Sequence, residues 1–390
     1  MYILGIRVDK LQEADIRRLM ENQIQESASL DYKKELSISK DKDKKEFLFD
    51  VSAMYNTDGG CLVFGIEEEK DQNNQNTGKP KEITGIEIQN SDKLIQQIED
   101  IVKSCTEPSI NQLIIKELEV DGRTILILGI PKGLGLPSMV TYNQTNKFYK
   151  RRNSGKYAVD VYELNNMFMQ NQVLKEKASD FRKKRIKSVL NQESLPNLVV
   201  DNSFFVHIIP FSFLDNHIVD FSKAEKDNIL DMRPIRTSSW DKMYNIDGYA
   251  TFSTSPDRKQ ITSYNQIFRN GIYEAYTSEM FFEDRNGNII AFNGKTMIEE
   301  TLRTISQGLK VLNHMQFEPP FLVSFSFHNV FGKLLYNDVS FYSRPFKQNE
   351  IIFPLILIPT YESDIYSLIK PNFDILWQSF GYAKSIEFNN

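Results

Sequence analysis

Apolar positions in the first half of the chain alternate between a helical period and short unbroken runs. Leu11, Ile16, Leu19, Met20 and Ile24 keep the spacing of one helix face. Residues 30–36 read as a short strand. Residues 44–56 read as a second helix, with Phe47, Val51 and Met54 on one stripe. The turn N-T-D-G-G follows at 56–60, where the glycines can take positive φ. C-L-V-F-G-I, residues 61–66, is an apolar run of strand length and is expected to be buried on both faces. Residues 68–81, E-E-K-D-Q-N-N-Q-N-T-G-K-P-K, are polar throughout and predict an exposed loop. Residues 91–104 fit a helix with Ser91 as N-cap. I-I-K-E-L-E-V-D-G-R-T-I-L-I-L-G-I-P predicts two strands joined at Asp121-Gly122, a strong hairpin signal. Short strands flank 143–146, and 160–170 is helical. One α+β domain therefore ends near residue 172.

Beyond it the texture changes. Residues 174–190 are charged and helical and contain F-R-K-K-R-I-K at 181–187. This segment, with its flanks to 199, reads as a basic connector, either a solvated helix face or a helix turned toward RNA or DNA. Residues 200–390 are rich in aromatic and β-branched runs: S-F-F-V-H-I-I-P-F, G-Y-A-T-F-S, Y-E-A-Y-T-S-E-M-F-F and F-L-V-S-F-S-F. D-R-N-G-N at 284–288 predicts a hairpin turn. Met297, Ile298, Leu302, Ile305, Leu309 and Leu312 mark a long helix over 295–312. The second domain is thus also α+β and strand-rich, a specificity or partner-protein module. Arg269 and Tyr273 are candidates to line a groove there, against the commoner reading of such aromatics as core.

Composition narrows the classes. Of 390 residues, 41% are apolar and 25% charged, enough for packed cores and against global disorder. The net charge of −5 means that a polyanion must be met by a local patch. Two cysteines, Cys61 and Cys105, without C-x-x-C exclude a disulfide framework and a cysteine zinc site and fit a cytoplasmic protein. The N-terminal apolar run lacks the basic flank and length of a signal peptide. No apolar stretch reaches the ~18 residues of a membrane span. The four histidines, His207, His217, His314 and His328, form no ligand pair. No phosphate-cradling G-x-x-x-x-G-K-[ST], no G-x-S-x-G elbow and no G-x-G-x-x-G follows a strand. P-K-G-L-G-L-P, 131–137, reads as a bent surface loop.

Carboxylates remain. E-S-A-S-L-D-Y-K-K places Glu26 and Asp31 beside Lys33 and Lys34, and Glu67, Glu68 and Glu69 end the apolar run. Two or three carboxylates can hold Mg²⁺ or Mn²⁺, which would activate water for phosphodiester cleavage. By spacing alone, acids beside lysines are solvated ion pairs of little energy. Lys147, Lys150, Arg151, Arg152 and Lys156 crowd one segment, with no Asp or Glu between Gly122 and Asp160. Tyr149 and Tyr157 interleave as candidates to stack on bases. In N-T-D-G-G a structural turn is favoured over a role for Asn56 and Asp58 at a metal or phosphate.

Taken in order, E-S-A-S-L-D-Y-K-K, the helix ending in S-A-M-Y-N-T-D-G-G, C-L-V-F-G-I-E-E, I-L-I-L-G-I-P and F-Y-K-R-R-N-S-G-K-Y-A resemble the AlbA-like domain of the Schlafen family, over residues 10–172. The resemblance implies an AlbA-like mixed sheet with helices. It implies a metal-dependent endoribonuclease that cleaves tRNA or other structured RNA with three carboxylates. Matched position by position, these are Glu26, Asp31 and one of Glu67 and Glu68, with Mg²⁺ or Mn²⁺ as the metal. Asp31 stands where nuclease members usually carry Glu, one methylene longer. Neighbours on a strand point to opposite faces, so only one of Glu67 and Glu68 is expected to face Glu26. Lys33, Lys34, Lys147, Tyr149, Lys150, Arg151, Arg152 and Lys156 would hold the nucleic acid. A role in bacterial stress or antiphage defence is implied, and a homodimer, since Schlafen cores pair two lobes and one is found here. The alternatives are a non-catalytic DNA- or RNA-binding regulator and a dimerising interaction module.

Overall fold

A computed structural model of the chain describes residues 1–133, 135–153, 155–214, 218–221, 229–283, 290–336 and 344–387. The chain divides into two compact units, Met1–Gln172 and Val173–Asn390.

The first unit opens with β1 (Tyr2–Ile3) and β2 (Ile6–Arg7), then α1 (Glu13–Glu21). α1 begins where Gln12 and Asp15 exchange side-chain and backbone hydrogen bonds, a capping box that trims the expected helix at its N-terminus. β3 (Leu30–Lys33), α2 (Asp41–Tyr55) and β4 (Gly60–Phe64) follow. The apolar run at 61–66 does not continue as one strand. Gly65 has φ +98 and ends β4 there, because a Cβ would press on Gly85 and Thr124 at 3.1–3.2 Å. β5 (Ile66–Lys70) and β6 (Asn76–Ile83) then form a two-stranded ribbon of their own.

That ribbon corrects the loop expected at 68–81. Its residues are polar on both sides, so no apolar alternation announced it. Its turn is held instead by Asp71 Oδ1, which accepts from the backbone N of Asn73 and Gln75 at 2.8 Å each. α3 (Ser91–Ser104) is capped by Asn90, whose side chain accepts from Lys93 N at 2.9 Å, and not by Ser91.

β7 (Thr106–Glu107), β8 (Ile114–Val120), β9 (Arg123–Ile130), β10 (Met139–Val140), β11 (Lys147–Arg152) and β12 (Gly155–Ala158) complete the strands of this unit. Asp121 and Gly122 both have positive φ, as the two-residue turn between β8 and β9 requires. The central sheet runs β3-β4-β9-β8, with β3 parallel to β4 and the rest antiparallel. α1 covers one face through Ile16 and Leu19 against Leu30, Tyr32 and Val63. α2 and α3 cover the other through Leu48, Val51, Met54 and Val102 against Leu62, Leu126 and Leu128. A second sheet runs β12-β11-β10-β7.

α4 (Val161–Leu190) is one continuous helix of 30 residues, where two separate helical pieces were expected. Its residues from 173 on belong to the second unit. There it is not a bare solvated face. Ala178, Arg182, Ile186 and Val189 recur on one face and are buried. Arg182 donates to Ser324 Oγ and, at 3.0 Å, to Phe353 O. Only Lys183, Lys184 and Lys187 of the basic run are exposed.

The second unit continues with β13 (Ser203–Pro210), β14 (Asp241–Tyr244), β15 (Gly248–Thr254), β16 (Ile261–Phe268), β17 (Tyr273–Thr277), β18 (Phe281–Glu283) and β19 (Ile290–Asn293). Then come α5 (Gly294–His314), β20 (Phe321–His328), β21 (Leu334–Tyr336), β22 (Glu350–Ile352), β23 (Ile356–Ile358) and α6 (Ile365–Ser379). An eight-stranded sheet runs β14-β15-β16-β17-β13-β20-β22, with β23 also on β20. α5 and α6 pack on one face, around Val206, Phe325, Leu309 and Trp377. Ile186 and Val189 of α4 pack on the other, against Phe205, Tyr264 and Tyr276.

On that face Glu274, fully buried, accepts from Arg185 Nε (3.1 Å) and Tyr264 OH (2.8 Å) and meets His207 Nε2 at 3.0 Å. Tyr273 is core, its hydroxyl taken by Gln307, so it lines no groove, while Arg269 is exposed and donates to Ile246 O. The D-R-N-G-N turn and His217 lie outside the described residues, though β18 and β19 on either side of that turn pair antiparallel. No helix among the described residues is long and apolar enough to cross a membrane.

Candidate nucleic-acid site

Among the described strands β3 pairs with β4 and lies at the sheet edge, so its outer N–H groups need partners from elsewhere. Glu26, just ahead of the strand, folds back and accepts from Tyr32 N at 2.7 Å. Its own N–H donates to Gly78 O on β6, also at 2.7 Å. The carboxyl of Glu26 is thereby fixed between the edge of β3 and the β5–β6 ribbon. Strand alternation sends Tyr32 into the α1 side of the sheet and Asp31 and Lys33 to the α2 side.

Asp31 is buried, and both its oxygens face cations. Oδ1 accepts from Arg151 Nη2 at 2.8 Å, and Oδ2 lies 2.6 Å from Lys33 Nζ. Arg151, buried on β11, is anchored through its backbone N to Thr57 Oγ1 at 2.9 Å, inside the N-T-D-G-G turn. Burial pulls the Asp31 carboxyl upward, but Lys33 and Arg151 outweigh it and hold it below its usual value. Lys33 is held above its usual value, since Asp31 and Asp50 outweigh its burial. Asp50, buried on α2, is raised by burial, and Lys156 reaches it at 2.9 Å. A cavity of about 170 Å³ lies here, with Lys33, Glu46 and Asp50 on its walls and Phe47, Leu62 and Phe64 among its lining.

The adjacent glutamates separate as strand geometry demands. Glu67 turns to Lys34, at 2.9 Å. Glu68 turns the other way. Burial raises its carboxyl, and the charges it feels most are Lys33 and Asp31. It also accepts from Gly78 N, so Gly78 serves both Glu68 and Glu26. Glu26 itself is pushed up to about 7, by burial first and then by Asp31, with Tyr32 N opposing and Glu68 adding. A carboxyl so placed can take and return a proton near neutral pH.

A divalent ion asks for carboxylate oxygens turned to one point. Among the described residues no three His, Cys, Asp or Glu side chains meet in that way. Both Asp31 oxygens already face fixed cations. The arrangement therefore does not fit the Mg²⁺ or Mn²⁺ expected at Glu26, Asp31 and Glu67 or Glu68.

The basic strip is largely neutralised from within. Lys150 pairs with Glu163 at 2.9 Å, and Lys156 with both Glu46 and Asp50 at 2.9 Å. Arg151 is spent on Asp31. Lys147 and Arg152 are exposed, the latter 5.6 Å over the ring of Tyr157. Tyr149 stacks on Phe49 at 4.1 Å, so one ring face is already covered. Asn56 is structural, donating to Ser138 O and Tyr149 O and accepting from Ser138 N, all at 2.8–3.0 Å. Asp58 pairs with Lys132 at the surface. Sequence reasoning passed over Asp50, Glu46 and Glu163. Asp50 carried a signal, a lone acid within the apolar stretch F-L-F-D-V of a helix.

Residues 26–160 match the family model described as Schlafen, AlbA_2. The match marks a Schlafen AlbA-like domain within the first unit. Two solved structures are similar to part of the chain. The crystal structure of the DIP2311 protein from Corynebacterium diphtheriae is 17% identical with a TM-score of 0.28, covering 41% of this chain and 28% of that one. The N-terminal domain of a RecG-related protein from Nitrosomonas europaea is 18% identical with a TM-score of 0.28, covering 39% of this chain and 93% of that one. The chain thus spans well under half the length of the Corynebacterium protein. No curated protein matches it.

Proposed function

We propose that the protein binds RNA through its Schlafen AlbA-like domain and cleaves it, as an endoribonuclease acting on tRNA or other structured RNA. The observation that carries this reading is at the edge of β3, where the carboxyl of Glu26 is fixed on Tyr32 N at 2.7 Å and Asp31 lies 2.6 Å from the partly exposed ammonium of Lys33. In cleavage the neighbouring 2′ hydroxyl gives its proton to the Glu26 carboxylate and its oxygen bonds to phosphorus as the bond to the 5′ oxygen breaks, that oxygen taking up a proton from water, while preorganised cations stabilise the charge on the non-bridging oxygens. Lys33 has this role, half-exposed and held by Asp31. Lys147 and Arg152 hold the neighbouring phosphates. Lys34 joins them by exchanging its exposed pair with Glu67, worth little, for phosphate, and Lys150 and Lys156 by leaving the half-buried Glu163 and the buried Asp50.

A second reading, a non-cleaving RNA- or DNA-binding regulator, is favoured by one feature: Asp31 is locked to buried Arg151. The test is incubation of total tRNA and plasmid DNA with the full chain, with Mn²⁺ or with EDTA, resolved on a gel. Discrete tRNA fragments that vanish in Glu26→Ala/Asp31→Ala support cleavage. Retarded bands without fragments support the regulator. Neither fragments nor retardation overturns both.

A further inference from the structure

The second unit holds a cavity of about 620 Å³ between α5 and the segment ahead of β14. Its volume falls in the ~300–1,000 Å³ range of small-molecule sites. Arg303, Ser306, Gln307 and Lys310 fall at i, i+3, i+4 and i+7 and form one stripe of α5 along the cavity. The apolar face of the same helix, with Ile305, Leu309 and Leu312, goes to the core. Asp231 and Arg233 line the opposite wall.

The cations of this lining are held in place before any ligand arrives. Arg233 Nη2 meets Glu300 Oε1 at 2.6 Å, and Arg303 Nη2 meets Glu300 Oε2 at 2.8 Å. One carboxylate thus serves two guanidiniums and leaves positive charge in excess. Arg233 keeps 37% of its side chain exposed and Arg303 27%. Gln307 ties the two walls together, accepting from Arg233 N at 3.0 Å and donating to Arg233 O at 3.2 Å. Lys310 is exposed, and neither its ammonium nor Ser306 Oγ has a partner among the described residues. Asp231, the one acid of the lining, is also exposed and accepts from Trp240 Nε1 at 2.7 Å through Oδ1. Its Oδ2 remains open to a further donor.

We propose that this cavity binds a small phosphate monoester that carries hydroxyl or amino donors, the chemistry of a nucleoside monophosphate. Its phosphate lies at Arg233, Arg303 and Lys310. Guanidinium forks match phosphate oxygens, and a dianion offsets the charge that Glu300 leaves over. Ser306 donates its hydroxyl to the same group. Asp231 repels the phosphate and accepts from the donors at the other end, which sets the direction of the ligand. The site lies in the second unit and does not depend on whether the first unit cleaves RNA.

The test is isothermal titration calorimetry of the full chain with AMP, adenosine, inorganic phosphate and succinate, without RNA, for wild type, Lys310→Ala and Asp231→Ala. Wild type is expected to bind AMP at least about tenfold more tightly than adenosine, which lacks the charge, and more tightly than inorganic phosphate, which lacks the donors. Lys310→Ala should weaken AMP at least about tenfold. Asp231→Ala should bring AMP down to the level of inorganic phosphate. Wild type that binds no AMP overturns the proposal. So does wild type that holds succinate or inorganic phosphate as tightly as AMP, and these arms need no variant to fold. An unchanged AMP affinity in Lys310→Ala at a wild-type melting temperature overturns it as well, since AMP would then be held elsewhere on the chain.

Discussion

Arg151 Nη2 donates to Asp31 Oδ1 at 2.8 Å across 120 residues of chain, with both side chains buried. The pair ties the edge of the central sheet to the second sheet and fixes the carboxylate that holds Lys33. A charge pair out of water is sustained only while both members stay. Arg151→Ala should therefore destabilise the first unit by roughly 3–5 kcal/mol. Arg152→Ala, exposed one position on, should stay within about 0.5 kcal/mol. Urea unfolding of the two variants checks this, and equal midpoints would contradict it.

RNA binding should show a modest salt dependence, because few of the basic residues are free of carboxylate partners. Lys147→Ala/Arg152→Ala should flatten the slope of log K against log salt by roughly 1.5, at about 0.7–0.9 per lost phosphate contact. Lys150→Ala should flatten it less, since Lys150 must first leave Glu163. Filter binding of tRNA between low and moderate salt provides the measurement.

Acid should weaken the second unit in a defined window. His328 is buried on β20, and burial, with His207 and Arg182 adding, pushes it down to about 4 from 6.5. Unfolded chains take up that proton near pH 6.5, while the folded chain resists it until about 4. Stability from the neutral imidazole is thus present above 6.5 and lost as pH falls toward 4, a loss on the order of 3 kcal/mol. His328→Gln should be less sensitive to pH across that window in thermal melts. Unchanged sensitivity would remove His328 as the cause.

Asn56 is a prediction of the opposite kind, for a residue whose place beside candidate site residues in the sequence gave it a possible binding role. Its amide satisfies three backbone groups, two of Ser138 and one of Tyr149, at 2.8–3.0 Å. Asn56→Ala should cost roughly 1–3 kcal/mol through the buried groups it orphans. A fall in tRNA affinity without a fall in stability would show the reverse.

The sequence made the strongly periodic elements legible. The β8–β9 hairpin announced itself through Asp121-Gly122, and β4 through an unbroken apolar run buried on both faces. The β5–β6 ribbon was hidden because a solvated ribbon needs no apolar alternation. Its turn rests on Asp71, and its partner contacts come from Gly78. α4 misled for a related reason. Its arginines look like a polyanion face, yet Arg182 and Arg185 satisfy Ser324 and Glu274, which are distant in sequence. At the site, Glu26, Asp31 and the Glu67–Glu68 choice were readable from order and alternation. What could not be read was that Lys33 and Arg151 would occupy Asp31, or that Asp50 and Glu46 would occupy Lys156. Those pairs depend on tertiary registry between β3, α2 and β11.

The central claim is that RNA is cleaved at the Glu26–Lys33 face. Single-turnover cleavage of purified tRNA by wild type and Glu26→Gln tests it most directly, since Gln keeps an acceptor for Tyr32 N and removes only the acid. A proton-transfer group contributes about 10²-fold or more. A loss of that size at an unchanged melting temperature is expected. Cleavage by Glu26→Gln at the wild-type rate would contradict it.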